Sequence, residues 1–453
     1  MNAQVTFLEG TLSLIHIPLN LYSTFLQPIL QVLLPPSQSR PDGDGAAATS
    51  PPEPGSPGAT LGVDGLTLDG QHAFLNISVT PLECSVVCHS ALARAIFEPA
   101  VRRLPKELAR TVSVSRDTYV VFSVFSAGTE AGSRVVDLTS PLALAGIPIF
   151  FITTYYSDFL LVPTKDRQRV VRALLRRGFE FSEQDSSYKA PAPSYMVHHG
   201  YARGHTYGSR SGSHSSSSNG SPPSTPPPCN TAELQARTFG LLRKHRVTPY
   251  IVPGLRLVQC SGREKGNYSH AGCHASHHHH YNYYGRASGA AHGGRHRGRD
   301  FNGPAWVESV DTRLYTALVA AVAAQPRFLS VTLAQDDPPS LLLDRALLVV
   351  FGDALVGPTA EENTLAPIFL DLEALPVEAS GIVSGVAGLL VREMQVLENA
   401  VDLSYLSTAR AGAVILSGEK AGRALDILKP LLIEKEEREG PRDDEEEEEE
   451  VAE

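Results

Sequence analysis

The chain has 453 residues, with 39 Lys and Arg against 49 Asp and Glu, for a formal net charge of −10. Residues 434–453 hold 13 of the acids and three of the bases, so residues 1–433 carry 36 of each sign and are electroneutral. A neutral body excludes strong phosphate binding, because Lys and Arg contacts supply most nucleic-acid affinity. An apolar share of 42% is enough for packed cores. The five cysteines (Cys84, Cys88, Cys229, Cys260, Cys273) are few and odd in number, which fits a reducing compartment without a disulfide framework. No basic n-region opens the chain, and the apolar run Leu12–Leu34 is broken by His16, Pro18, Asn20, Gln27, Pro28 and Gln31. Neither a leader nor a membrane span is expected, and the expected location is cytoplasmic.

In chain order, Val5–Ile15 reads as a strand and Leu19–Leu34 as a helix. Residues 35–70 are dominated by Pro, Gly, Ser and Ala and lack the apolar periodicity that offsets ordering entropy. Ala73–Ser78 and Cys84–Cys88 form a strand pair, and Ala91–Leu104 a helix. The clearest block follows. Thr118–Ser126 is a β-branched and aromatic strand, and Val135–Ala145 is a helix closed by Gly146. Ile147–Ile152 and Phe159–Val162 are strands around the turn Thr153–Asp158. Thr164–Arg177 is an amphipathic helix, and Phe179–Phe181 a last strand. This order, β-α-β-β-α-β, is the ferredoxin-like split unit. After a low-complexity stretch over 184–230, Val247–Gln259 is extended. A His-, Gly-, Arg- and Tyr-rich insert covers 261–305. Thr312–Gln325 reads as a helix, and Phe328–Ala334 and Leu341–Phe351 as strands. The last block repeats the unit, with strand Pro367–Leu372, helix Gly381–Met394, strands Val401–Leu406 and Ala413–Leu416, and helix Glu419–Leu432. Ile152–Val162 (ITTYYSDFLLV) aligns with Leu406–Leu416 (LSTARAGAVIL), an internal repeat.

Several motifs have competing readings. His270, Cys273, His274 and His277–His280 are zinc-type ligands, but they lie in low-complexity sequence without a CxxC, so a solvated tract is expected and no metal or cofactor. Cys84 and Cys88 fall on one face of a strand and read as small buried apolar residues. Gly381-Ile-Val-Ser-Gly385-Val-Ala-Gly388 opens a helix. Its small residues suit close helix packing, and its free N–H groups suit a carboxylate. Residues 117–182 and 365–433 contain no histidine, and no nucleophile–base set converges, so no enzyme activity is expected.

These elements resemble the ACT domain, the small-molecule regulatory module of amino-acid metabolism. Val5–Leu30, IPIFFITTYYSDFLLV (Ile147–Val162), GIVSGVAGLL (Gly381–Leu390) and YLST (Tyr405–Thr408) resemble the CASTOR cytosolic arginine sensors more specifically. The resemblance implies an α+β fold of four tandem ferredoxin-like βαββαβ (ACT) units, to which composition adds the disordered inserts and an acidic tail. The units would span 1–110 (insert 35–70), 115–183, 240–356 (insert 261–305) and 364–433, with a disordered linker over 184–235 and the tail at 434–453. It implies a non-enzymatic sensor that binds an amino acid or related metabolite between the second and fourth units. Such a sensor would act through a regulatory protein partner in TOR-complex nutrient signalling, and a homodimer is compatible with it. The ligand-binding residues it implies are Pro148, Ile149, Glu378, Ser380, Gly381, Ile382, Thr408, Ala409 and Gly412. Three departures bear on the ligand. Pro148 removes a backbone donor at a serine position. Ala379 stands where the family has an acid, with Glu378 adjacent. Gly412 stands where an aspartate would face a guanidinium, two places from Arg410. Two alternatives stay open: a ligand-free ACT scaffold, and the regulatory ACT chain of a biosynthetic enzyme.

Overall fold

In the computed structural model the described residues are 3–34, 72–126, 131–181, 226–263, 311–335, 337–396 and 401–433. The expected insert over 35–70, nearly all of that over 261–305, the His-rich tract, most of the 184–235 linker and the acidic tail lie outside them.

The first strand is two strands. β1 (Ala3–Phe7) and β2 (Leu12–Ile17) are separated at Gly10, whose φ of +91° suits glycine. They serve different neighbours. β2 leads to α1 (Tyr22–Leu33) and the hairpin β3 (Phe74–Val79) and β4 (Cys84–His89). A helical run follows, with α2 (Ser90–Leu92), one π turn (Ala93–Phe97) and α3 (Glu98–Arg102). After it come α4 (Lys106–Thr111) and β5 (Ser113–Val114). β1 instead pairs antiparallel with β6 (Tyr119–Ser126) and parallel with β9 (Glu180–Phe181), so it completes the second block. Between β6 and β9 lie α5 (Ala131–Leu144), β7 (Phe150–Thr153), β8 (Asp158–Pro163) and α6 (Arg167–Leu175).

The second half begins with α7 (Thr231–Lys244), whose first five residues fall in the stretch read as linker. Asn230 caps it by accepting from the Glu233 N–H (2.9 Å), and the Glu233 carboxylate accepts from the Cys229 N–H (2.7 Å). That reciprocal cap is a sequence signature that composition concealed. The third block is β10 (Leu257–Gly262), α8 (Thr312–Ala323), β11 (Leu329–Ala334), β12 (Ser340–Asp344), α9 (Leu348–Phe351) and β13 (Leu355–Val356). The strand expected over Leu341–Phe351 therefore ends at Asp344, whose side chain accepts from Ala346 N and starts a helical turn. The fourth block is β14 (Leu365–Asp371), α10 (Ile382–Gln395), β15 (Ser404–Ser407), β16 (Ala411–Ser417) and α11 (Gly418–Leu432). The order β-α-β-β-α thus recurs from β2, β6, β10 and β14.

Twelve of the strands close into a ring, in the order β2-β4-β3-β11-β12-β10-β14-β16-β15-β7-β8-β6, with β6 meeting β2 at Tyr119 and Leu12. Strands β2, β3, β4, β8 and β12 are buried on both faces or nearly so, and polar members such as Ser13, His16, Asn76 and Ser78 are hydrogen-bonded inside. One core fills the ring, with Leu14, Phe74, Phe159, Phe328, Phe369 and Leu406 among its members. Two others lie outside it. The first is under α5, α6, α7, α10 and α11, and the second under α1 and α8. Cys84, Cys88 and Cys260 belong to the second, and burial pushes their thiols up, to about 12 for Cys88 and Cys260.

A single antiparallel bridge, Ile152 to Leu406, joins β7 to β15. Each is the third residue of its strand, and each strand folds back at the same register: Thr153 faces Asp158, and Ser407 faces Gly412. The two hairpins are related by a local two-fold axis through that bridge. Side chains reinforce the seam, with Phe151 N donating to Ser407 Oγ (3.0 Å) and Tyr405 N to Thr153 Oγ1 (3.1 Å).

Candidate functional site

Beside this seam the structure has a cavity of about 700 Å³, within the range of small-molecule sites. Its walls are residues 113–117, the segment 147–150 before and into β7, the loop 372–379, the start of α10 and the turn 407–411. Of the residues implied by sequence, Pro148, Ile149, Glu378, Gly381, Ile382, Thr408 and Ala409 line it together. Ser380 and Gly412 do not. Ile147–Ile149, expected as strand, is the irregular lead into β7, which starts at Phe150.

The first turn of α10 has no side-chain cap, so it presents the free N–H groups and the positive end of a 14-residue helix. Gly381 sits there at φ +87°. A Cβ on it would lie 2.6 Å from Leu234 Cδ1, and one on Gly385 2.7 Å from Thr238 Cγ2. Helix α7 thus crosses α10 on its small residues, and the close-packing reading of GIVSGVAG is right for Gly381 and Gly385. The free N–H groups of the same turn keep the carboxylate reading open.

The turn 407–411 is fixed from the first block. The buried Glu83 carboxylate accepts from Thr408 Oγ1 (2.6 Å) and Arg410 N (2.7 Å) through Oε1, while Oε2 meets His16 Nδ1 (2.5 Å). Ser85 Oγ accepts from Ala409 N (3.1 Å). Glu83, His16 and Ser85 were invisible to sequence reading, since the topology alone brings β2 and the β3–β4 turn against the fourth block. Thr408 therefore spends its proton inside the protein and offers a ligand only its oxygen.

The acid implied at Gly412 is replaced by a phenol. A Cβ on Gly412 would lie 2.5 Å from Tyr405 Oη. Tyr405 is 1% exposed, its Oη has no partner among the described residues, and burial pushes its ionisation well above the ordinary tyrosine range. Nothing ionised can stand there opposite a cation. Arg410 of the turn is ion-paired with Glu373, and Asp117 with Lys165 (2.8 Å). The remaining charged residues of the lining, Arg116 and Glu378, make no ion pair among the described residues. Burial, then Asp117 and Glu378, push the Tyr119 phenol in the same wall up to about 12.

Residues 114–176 match the ACT domain. That stretch, about a seventh of the chain, is similar to ACT domains. It runs from β5 through α6 and supplies the 147–150 wall of the cavity, and its ferredoxin-like α+β order is the one seen from β6 to β9. No curated protein matches the sequence. Among solved structures, aspartate kinase from Synechocystis is 10% identical, with 95% of this chain and 55% of that chain covered and a TM-score of 0.27. Protein Atu0741 from Agobacterium tumefaciens is 19% identical over 40% of this chain and 93% of its own, with a TM-score of 0.22. VC0802 from Vibrio cholerae, described as a possible transport protein, is 12% identical over 39% and 90%, with a TM-score of 0.21. Likeness at this level carries no functional argument. No described helix is long and apolar enough to cross a membrane, and no group of three or more His, Cys, Asp or Glu among the described residues could hold a metal.

Proposed function

We propose that this ACT-domain protein is a non-enzymatic regulator built of four ACT-like segments. It binds an amino acid or a related zwitterion in the cavity between the start of α10, the 147–150 wall and the 407–411 turn. The carrying observation is the uncapped first turn of α10 opening into that cavity. An α-carboxylate suits the helix N-terminus, and Glu378 suits an α-ammonium. The ligand's side chain is uncharged, because Tyr405 and Gly412 stand where an acid would face a cation. No His, Cys or Lys is present in the lining, which supports a binding role over a catalytic one. The resemblance to the CASTOR sensors supports an output through a protein partner in TOR-linked nutrient signalling, with ligand altering that contact.

Calorimetry and thermal melting against all twenty amino acids test the reading. One or more neutral amino acids should raise the melting midpoint, as any ligand of the native state does, and arginine should do so less. Glu378→Gln should weaken that ligand while leaving the free protein's melting unchanged, since Glu378 is exposed. Absence of heat and of stabilisation with all twenty would end the claim. That result would favour a ligand-free scaffold, a reading supported by Thr408 and Tyr405, two polar side chains of the wall that are directed into the protein itself.

A further inference from the structure

Helix α7 ends in the sequence Arg243-Lys244-His245-Arg246. Arg243, Lys244 and Arg246 are exposed, and none of them makes an ion pair among the described residues. The turn has a fixed shape, with Arg246 N donating to Arg243 O (2.8 Å), Val247 N to Leu242 O (3.0 Å) and Arg246 at φ +54°. Glycine commonly takes that left-handed place after a helix, because a Cβ there crowds the next carbonyl. Here an arginine holds it. Helix α11 ends at the same place. Gly418 N donates to Thr364 O (3.3 Å), just ahead of β14, so α11 starts where that strand starts and packs along it. Its 15 residues rise about 22 Å, close to the length of β14, and bring Lys429 and Ile433 level with Asp371. The exit from α7 leads to the same end, since Tyr250 pairs with Phe369 and has its ionisation pushed up by burial and then by Asp371. The acids there are engaged within the protein: Asp371 Oδ1 accepts from Glu373 N (3.0 Å), and Glu373 pairs with Arg410.

We propose that the acidic run Asp443–Glu450 of this same chain docks on the basic turn that ends α7. The run is eight acids in a row, the densest charge in a chain whose other residues nearly cancel. The nine residues between it and Ile433 span at most about 30 Å. The basic turn lies within that reach, because α7 and α11 pack on each other and end together. A tether this short holds the acids near the turn at an effective concentration on the order of millimolar. Single surface ion pairs are weak, and the tether lets several act at once. Position separates this turn from the other exposed basic residues without ion pairs, Arg172 and Arg176 of α6. That helix lies across α10 and α5 from α11. It also returns against β8, so it ends at the opposite end of the helix layer. Helix α7 is the element that packs on Gly381 and Gly385, so the docked run bears on the helix that braces the cavity wall. An acidic partner of this turn would first have to displace the run. The docking holds whether or not the cavity takes an amino acid.

Zero-length crosslinking of the full chain tests this. A carbodiimide joins a lysine amine only to a carboxylate in contact with it, and Lys244 is the lysine of the basic turn. Peptide mapping at low salt should find Lys244 joined to residues 443–450. The yield should fall about tenfold at about 1 M salt, where screening shortens to about 3 Å. Arg243→Gln/Arg246→Gln keeps Lys244 and should lower the yield severalfold, and glutamine in place of Glu445–Glu450 should lower it further. A mixture of isotopically heavy and light chains separates the two sources of the acids. Crosslinks within one label support the proposal, whereas mixed-label crosslinks make a second copy the occupant and overturn it. The absence of a Lys244 crosslink, or its replacement by one to Lys165 beside α6, also overturns it.

Discussion

Replacing Gly412 by alanine asks whether the Tyr405 phenol holds the place of an acid. The added methyl would lie 2.5 Å from Oη and 3.2 Å from Cζ of Tyr405. Gly412 is held by the ladder on both sides, facing Leu370 of β14 and Ser407 of β15, so the backbone has little room to retreat. Forcing one extra carbon into such a site costs about 1–3 kcal/mol. Tyr405→Phe removes the atom in closest conflict. It also deletes a buried hydroxyl without a partner, a group whose burial costs roughly 1–3 kcal/mol, so this variant should be neutral or more stable than wild type. In its background the 2.5 Å conflict vanishes, leaving the 3.2 Å contact to Cζ and an ordinary 3.5 Å contact to Leu372 Cδ1. Gly412→Ala should then be cheaper by about 1–2 kcal/mol, within the coupling found for touching residues. The assay is urea unfolding of the four proteins at equal m-value, so that midpoints report stability. An equal cost for Gly412→Ala in both backgrounds would refute the steric account and reopen the question of what excludes an acid from this position.

Three further outcomes follow. Glu83→Gln should cost about 1.5–3 kcal/mol, the worth of a hydrogen bond to a charged group, and hydrogen exchange should speed up at the Ala409 and Arg410 amides; unchanged exchange there would dissociate Glu83 from the turn. His72 is buried with Nε2 unpartnered, and burial lowers its pKa to about 4 against the opposing hydrogen bond to Val32. Its folded pKa is depressed, so it stabilises fully above about 6.5 and loses up to about 3 kcal/mol as pH falls to 4. His72→Leu should flatten that part of the wild-type stability profile, and an unaltered slope would contradict the assignment. Cys229 is exposed and should react with a thiol reagent in the native protein, whereas Cys84, Cys88 and Cys260 should react only on unfolding.

The second and fourth blocks were legible because their strands and helices have single, clean periods and because one hairpin sequence recurs. Seven of the nine residues that the family resemblance implied stand around one cavity, Pro148, Glu378, Gly381 and Thr408 among them. Other features depended on contacts that periodicity does not encode. β1 and β2 read as one strand because both are apolar, and only their partners tell them apart, those of β1 in β6 lying 115 (Phe7 to Phe122) to 123 (Ala3 to Ser126) positions along the chain. Helix α7 was hidden by the Ser- and Pro-rich composition before it, although Asn230 and Glu233 marked its start. Glu83 looked like a turn residue, and the ring closure turned it into the buried anchor of the 407–411 turn. Gly412 was readable as a missing acid, but the hydroxyl that fills its place comes from Tyr405, seven residues earlier, across a hairpin.

The ring also governs how another polypeptide can engage the protein. A sheet with an open border invites a visitor to add a strand to it, by the same main-chain pairing that drives aggregation. Here the twelve ring strands are paired on both sides, and the strands hanging off the ring end in β5, β9 and β13, two residues each. Two residues give a visiting backbone almost nothing to hold. Along the described sheet, recognition must therefore come from side chains on helices and turns, which is the kind of surface a small molecule can reshape without unzipping a strand.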